Sequence, residues 1–107
     1  MNYEEINVHE LKKMIDSKSN FTLLDVRSDN EVLVSKIDSS IHIPMHEVPN
    51  RLNEIDKDEL IIVQCKLGQR SAKVCEFLIK NNYKNIKNLR GGIRAWSEEI
   101  DPSILVL

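Results

Sequence analysis

Cys65 stands where an apolar run, Leu60-Ile61-Ile62-Val63, passes through Gln64 into a short loop, Lys66-Leu67-Gly68-Gln69-Arg70-Ser71. A thiol in that position can act as a nucleophile when its thiolate is stabilised. Ala72, Cys75, Leu78 and Ile79 recur at helical spacing. A helix therefore begins near Arg70 and turns its free amides and the positive end of its dipole back toward Cys65. Lys66 and Arg70 add positive charge, and Gly68 lets the loop turn tightly with positive φ. The competing reading is a strand-end cysteine buried for packing, since free cysteine is among the most buried residue types.

The elements around the loop follow from periodicity. Four consecutive aliphatic residues, Leu60 to Val63, read as a strand buried on both faces, as inside a parallel sheet covered by helices. In such sheets ligands bind beyond the carboxyl ends of the strands, where Cys65 lies. Residues 4 to 6 read as a short edge strand. Asn7 caps a helix with Val8, Leu11, Met14 and Ile15 as its apolar stripe, and His9 falls off that stripe. Ser17 to Asn20 form a turn, and Phe21 to Val26 a strand with Leu23 and Leu24 in the core.

Ser28 and Glu31 make a capping box that starts a short helix through Val32, Leu33 and Lys36. Ile41 to Ile43 form a brief strand ended by Pro44, with His42 turned to the other side. Val48, Leu52 and Ile55 predict a helix over 46–55, provided Pro49 falls in its first turn. Asp56 to Glu59 make a solvated turn. Asn81-Asn82 end the helix that carries Cys75, Ile86 to Leu89 form a last strand, and Gly91-Gly92 turn the chain into a helix with Ile93, Ala95 and Trp96. Ile104 to Leu107 are apolar and leave two readings, packing on the body or covering a partner surface. The result is an α/β fold: a central, mostly parallel sheet of about five strands with helices on both faces.

The pattern Cys65-x-x-Gly68-x-Arg70-Ser71 after an apolar strand resembles the active-site loop of the single-domain rhodanese-like sulfurtransferases. Leu23-Leu24-Asp25-Val26-Arg27, Glu31, Ile41-His42-Ile43-Pro44 and Leu89-Arg90-Gly91-Gly92-Ile93-Arg94-Ala95-Trp96 resemble the family's other landmarks, in the family's order. The resemblance implies a loop of backbone amides, residues 66 to 71, around a cysteine that carries sulfur as a persulfide. It also implies that the Gly91-Gly92 turn approaches that loop. It places Asp25 near the loop, where a carboxylate could hold Arg70 or loop amides, and lets Arg27 pair with Glu31. Asp25 and Arg27 are read as alternating sides of the strand end, so that one of them serves the fold. Two departures stand out. Ser35-Lys36-Ile37 replaces a frequent Gly-His-Ile, which bears on a local turn, and Gln64 replaces a frequent aromatic, which alters the pocket wall.

The 107 residues read as one domain, 1–107, long enough for a single core. Fifteen basic against seventeen acidic residues give a net charge of −2, which removes the simplest electrostatic case for nucleic acid. The N-terminal segment has no basic stretch followed by an apolar core, and no segment is long and apolar enough to span a bilayer, so a cytoplasmic protein without membrane or nucleic-acid partners is expected. Two cysteines ten positions apart argue against a structural disulfide, and Cys75, about 15 Å of helical rise from Cys65, reads as core. His9, His42 and His46 show no ligand spacing, so neither a metal site nor a cofactor is expected.

The function expected is a sulfurtransferase in which Cys65 takes a sulfane sulfur from thiosulfate or a persulfide, with a small molecule or a protein persulfide as donor, and passes it to a thiol or cyanide. Lys66 and Arg70 would hold an anionic donor. A cysteine phosphatase or arsenate reductase competes, but its signature loop has one residue more between cysteine and arginine than the four found here. A non-catalytic interaction module of the same fold would not need the cysteine.

Overall fold

The computed structural model describes residues 3–107. Five strands, β1 (Glu4–Ile6), β2 (Phe21–Asp25), β3 (Ile41–His42), β4 (Leu60–Gln64) and β5 (Ile86–Leu89), form one sheet in the order β1-β5-β4-β2-β3. All neighbours pair in parallel, with Leu24 opposite Val63 and Val63 opposite Asn88. Parallel neighbours need crossovers, which the helices α1 (Val8–Asp16), α2 (Asp29–Val34), α3 (Gln69–Lys80) and α4 (Gly92–Glu99) help to supply or flank. From β2 the chain moves outward to β3, and from β4 it moves the other way to β5. The boundary between β2 and β4 is therefore a topological switch point, the place where open α/β sheets bind ligands.

Strand alternation divides the core into two layers. Leu24, Ile61 and Val63 meet Val74, Cys75 and Leu78 of α3 together with Val48 and Ile55. Leu23, Ile62 and Leu89 meet Val8 and Leu11 of α1 and Ile93 and Trp96 of α4. Asn7 and Glu10 close a capping box on α1, and Ser28 and Glu31 close another on α2, each satisfying amides that a helix start leaves free. No helix is long and apolar enough to cross a membrane among the described residues.

Two elements differ from the sequence expectation. The segment read as a helix over 46–55 is two 3₁₀ pieces, Met45–Asn50 and Leu52–Glu54. Pro49 lies inside the first, where it has no amide to continue an α-helical ladder. The apolar spacing still holds, since Val48 and Ile55 are buried. The helix expected to reach Lys36 stops at Val34, because Ser35 is extended at φ −167° and its carbonyl accepts a 2.8 Å hydrogen bond from Arg27 Nη2. That extended backbone suits any residue, so the turn here has no need of the glycine that Ser35 replaces. None of α2 is buried, and Leu33 is 84% exposed.

Candidate active site

Cys65 follows the last residue of β4 at the switch point and is 1% exposed, so a reacting group has to reach it within the loop. Gly68, at φ +118°, folds the loop back, a conformation that a side chain disfavours. Its amide then donates to Cys65 Sγ at 3.1 Å, and the Ser71 amide donates at 3.4 Å. Both amides stabilise negative charge on sulfur at the start of α3. The Ser71 hydroxyl lies 3.3 Å from Sγ. The helix start and the positive-φ turn expected from the sequence are both present.

A second helix start supports the loop from below. The Ile93 amide donates to the Cys65 carbonyl at 2.9 Å and the Arg94 amide to the Lys66 carbonyl at 3.1 Å. Amides in the first turn of α4 lack intrahelical partners and find them here. The close approach requires glycine at position 92, since a Cβ there would lie 2.4 Å from the carbonyl oxygens of Cys65 and Lys66.

The charged residues are arranged differently from the expectation. Arg70 donates to both oxygens of Glu31, at 2.7 and 2.9 Å, so its fork is held by α2 and not by Asp25. The Arg70 hydrogen bonds, foremost, hold the Glu31 carboxyl down at about 2, and Glu31 in turn raises the Arg70 pKa against the opposing effect of burial. Asp25 and Arg27 do not lie on alternate sides of the strand, because residues two apart share a face. They pair with each other, Arg27 Nη2 lying 2.8 Å from Asp25 Oδ2, both almost wholly buried. The Arg27 guanidinium therefore has Asp25 and the Ser35 carbonyl for partners, and its pairing with Glu31 does not occur. Its own carbonyl faces His42 Nε2 at 2.7 Å. This pair braces the end of β2 beside the site.

Of the remaining loop residues, Lys66 is half-buried, Leu67 is 48% exposed, and Gln69 opens α3 on the surface. Arg70 also lines a cleft of about 400 Å³ with Val26, Pro44, Met45, His46 and the first turn of α2. Gln64 is absent from that wall. Its side chain falls with Ile62 on the other side of the sheet, fully buried, and neither amide atom has a partner among the described residues. Cys75 is wholly buried, and burial foremost, with the nearby Cys65 sulfur second, pushes its thiol up to about 12.

Sequence reading passed over Asn88. It lies on β5, 3% exposed, donates from Nδ2 to the Gly68 carbonyl at 3.1 Å, and accepts the Ser71 hydroxyl on Oδ1 at 2.6 Å. The signal available was a polar residue inside the otherwise apolar end of a strand, since a buried amide requires partners.

Parallel sheet, switch-point cysteine and amide-lined loop together define an α/β protein with two backbone amides aimed at one thiol. A comparison with family models makes the class specific: the rhodanese-like domain matches residues 7–99, and the chain belongs to that family. The Bacillus subtilis protein YtwF is 35% identical over 95% of this chain and 98% of its own. A sulfurtransferase of Allochromatium vinosum is 34% identical over 87% of both chains. The crystal structure of a rhodanese-like domain protein from Staphylococcus aureus matches with a TM-score of 0.83 at 33% identity, covering 97% of this chain and 98% of that one. Fold and relatives support a sulfurtransferase role.

Proposed function

We propose that this chain acts as a single rhodanese-like domain that carries a sulfane sulfur on Cys65. The Cys65 thiolate attacks the outer sulfur of thiosulfate, the sulfur–sulfur bond of the donor breaks, and sulfite leaves with the bonding pair. A persulfide donor loses a thiolate in the same way. Cyanide or a thiolate acceptor then attacks the outer sulfur and returns Cys65 as thiolate, so no cofactor is required. The observation that carries this reading is the pair of amides, from Gly68 and Ser71, that meet Cys65 Sγ at the start of α3. The residues 66 to 71 cradle the outer sulfur, and Asp25 with Arg27 supports the strand end. The exposed loop and the cleft beside Arg70 admit either a small donor or a persulfide borne by a protein.

Intact mass tests the reading. Incubation with thiosulfate adds one sulfur, about 32 Da, which cyanide or a reductant removes, and Cys65→Ser takes up none. Uptake by Cys65→Ser together with its loss in Cys75→Ser would move the carrier to the other thiol. Arg70→Ala should need more thiosulfate for half-maximal loading if the guanidinium meets the anionic donor. Unchanged loading would confine Arg70 to its tie with Glu31.

A further inference from the structure

The amide of Asn88 can be oriented from its neighbours alone. A carbonyl only accepts, so the Asn88 atom that meets the Gly68 oxygen is the nitrogen. The atom facing Ser71 is therefore Oδ1, another pure acceptor, and it takes the one hydrogen of the Ser71 hydroxyl at 2.6 Å. What Ser71 then presents to Cys65 Sγ, at 3.3 Å, is a lone pair.

This arrangement treats the states of the sulfur unequally. A thiol fits, because its S–H donates to Ser71 Oγ. A persulfide also fits, because its charge sits on the outer sulfur and Sγ carries neither proton nor net charge. A bare thiolate sets its charge against the Ser71 lone pair. Relief comes only if the hydroxyl turns to the sulfur, and Asn88 Oδ1, buried in the strand, then loses its donor. We propose that Asn88 is a positioning residue that acts on Cys65 through the Ser71 hydroxyl, setting a lone pair against the negative charge that the Gly68 and Ser71 amides stabilise on the sulfur. On the reading of Cys65 as sulfur carrier, it also favours the loaded persulfide over the empty thiolate. Loading then runs in order: the Cys65 proton passes to water, the hydroxyl turns, the thiolate takes the outer sulfur of thiosulfate as sulfite leaves, and the hydroxyl returns to Asn88.

Other groups around Cys65 are Lys66 and Arg70 on its own loop and helix, Cys75 farther along α3, the Asp25–Arg27 pair at the end of β2, Glu31 behind Arg70, and Arg94 at the start of α4. Asn88 hydrogen-bonds to none of these side chains; its partners are the Gly68 carbonyl and the Ser71 hydroxyl. The rate of Cys65 alkylation by iodoacetamide, followed against pH by peptide mapping, reads the charge state directly. Asn88→Leu frees the hydroxyl to donate to the thiolate, so the midpoint should fall by about one pH unit, about tenfold in rate at a pH below the midpoint. Asn88→Asp keeps the acceptor and adds negative charge, so the midpoint should rise by about as much. A role confined to loop stability would move both variants in the same direction.

In a Ser71→Ala background, Asn88→Leu should leave the midpoint where Ser71→Ala alone puts it, since the hydroxyl that transmits the effect is gone. Asn88→Val carries the same expectations should leucine prevent folding. A midpoint that does not fall in Asn88→Leu, or a fall that survives in Ser71→Ala, overturns the proposal. Thiosulfate loading of the parent protein is read in parallel. Midpoints that move as expected without a sulfur adduct would remove the carrier reading and leave the control of the thiol by Asn88. An adduct with unmoved midpoints would do the reverse.

Discussion

A side chain at position 92 would collide with the loop that the residue supports. Gly92 holds φ +58°, where an L-residue is strained, and its absent Cβ makes room for the Cys65 and Lys66 carbonyls. The strain alone costs about 1 to 3 kcal/mol. The clash adds to it, and both contacts are backbone atoms that cannot swing aside. Gly92→Ala is therefore expected to push the loop away from α4, lengthen the two amide contacts at Sγ, and slow thiosulfate loading about tenfold or more, with a lower melting temperature. Loading rate and thermal unfolding measured on one preparation separate the two effects. Parental loading in a destabilised Gly92→Ala protein would mean that the amide cage keeps its shape without the second helix start. In the sequence the two glycines read as a strand-to-helix turn, and their approach to the loop came only from the family resemblance. The contact is made between residues 26 positions apart, from Lys66 to Gly92, and no local pattern records it.

The elements were legible where a period in the apolar residues coincided with a cap or a breaker. The stripe of α1 behind Asn7, the run of β4, and the stop of α3 at Asn81 all have both signals. The stretch around Pro49 had the apolar period but not the amide, and it became 3₁₀. Partners between elements were less legible. Sequence shows that Glu31 and Arg70 are charged, but their meeting depends on where α2 lies against the start of α3, 39 residues away. That tie carries a pH dependence. The Glu31 carboxyl is held at about 2, below its ordinary 4.5, first by the Arg70 hydrogen bonds. A carboxylate whose folded value is depressed contributes fully above its unfolded value and loses that contribution as pH falls toward the folded one. Glu31→Gln should thus lower the melting temperature at neutral pH by a few degrees, as loss of about 1 kcal/mol does in a domain of this size. The difference from the parent should shrink steadily between about pH 4.5 and about pH 2. An equal difference at neutral and acid pH would show that Glu31 acts through its cap on Ser28 and not through its charge.

The sheet as a whole keeps the site and much of the remaining apolar core on opposite sides. Cys65 belongs to the layer of α3 and the 3₁₀ segments, whereas Ile104 and Val106 of the C-terminal segment pack on the layer of α1 and α4. The segment is fastened there by the Ser97 hydroxyl, which donates to the Ile104 carbonyl at 2.6 Å, and by the Ser35 hydroxyl, which donates to the Leu105 carbonyl. Of the two readings of this apolar segment, packing on the body accounts for Ile104 and Val106. Leu105 and Leu107 point outward, at 70% and 53% exposed. Truncating Ile104 removes contacts from a partly buried position, so Ile104→Ala should cost about 1 to 2 kcal/mol, less than the loss of a fully buried isoleucine. Ile104 is held by Ser97 and Asp101, toward the end of α4 opposite to the Ile93 and Arg94 amides that support the loop, so the sulfur adduct on Cys65 and its rate of formation should match the parent well below the melting temperature. Chemical denaturation gives the first quantity and intact mass the second. A large fall in loading with the stability change would mean that the two layers are coupled through the sheet, with the Asp25–Arg27 brace as the connection to examine, since Arg27 also binds the Ser35 carbonyl next to the fastened segment.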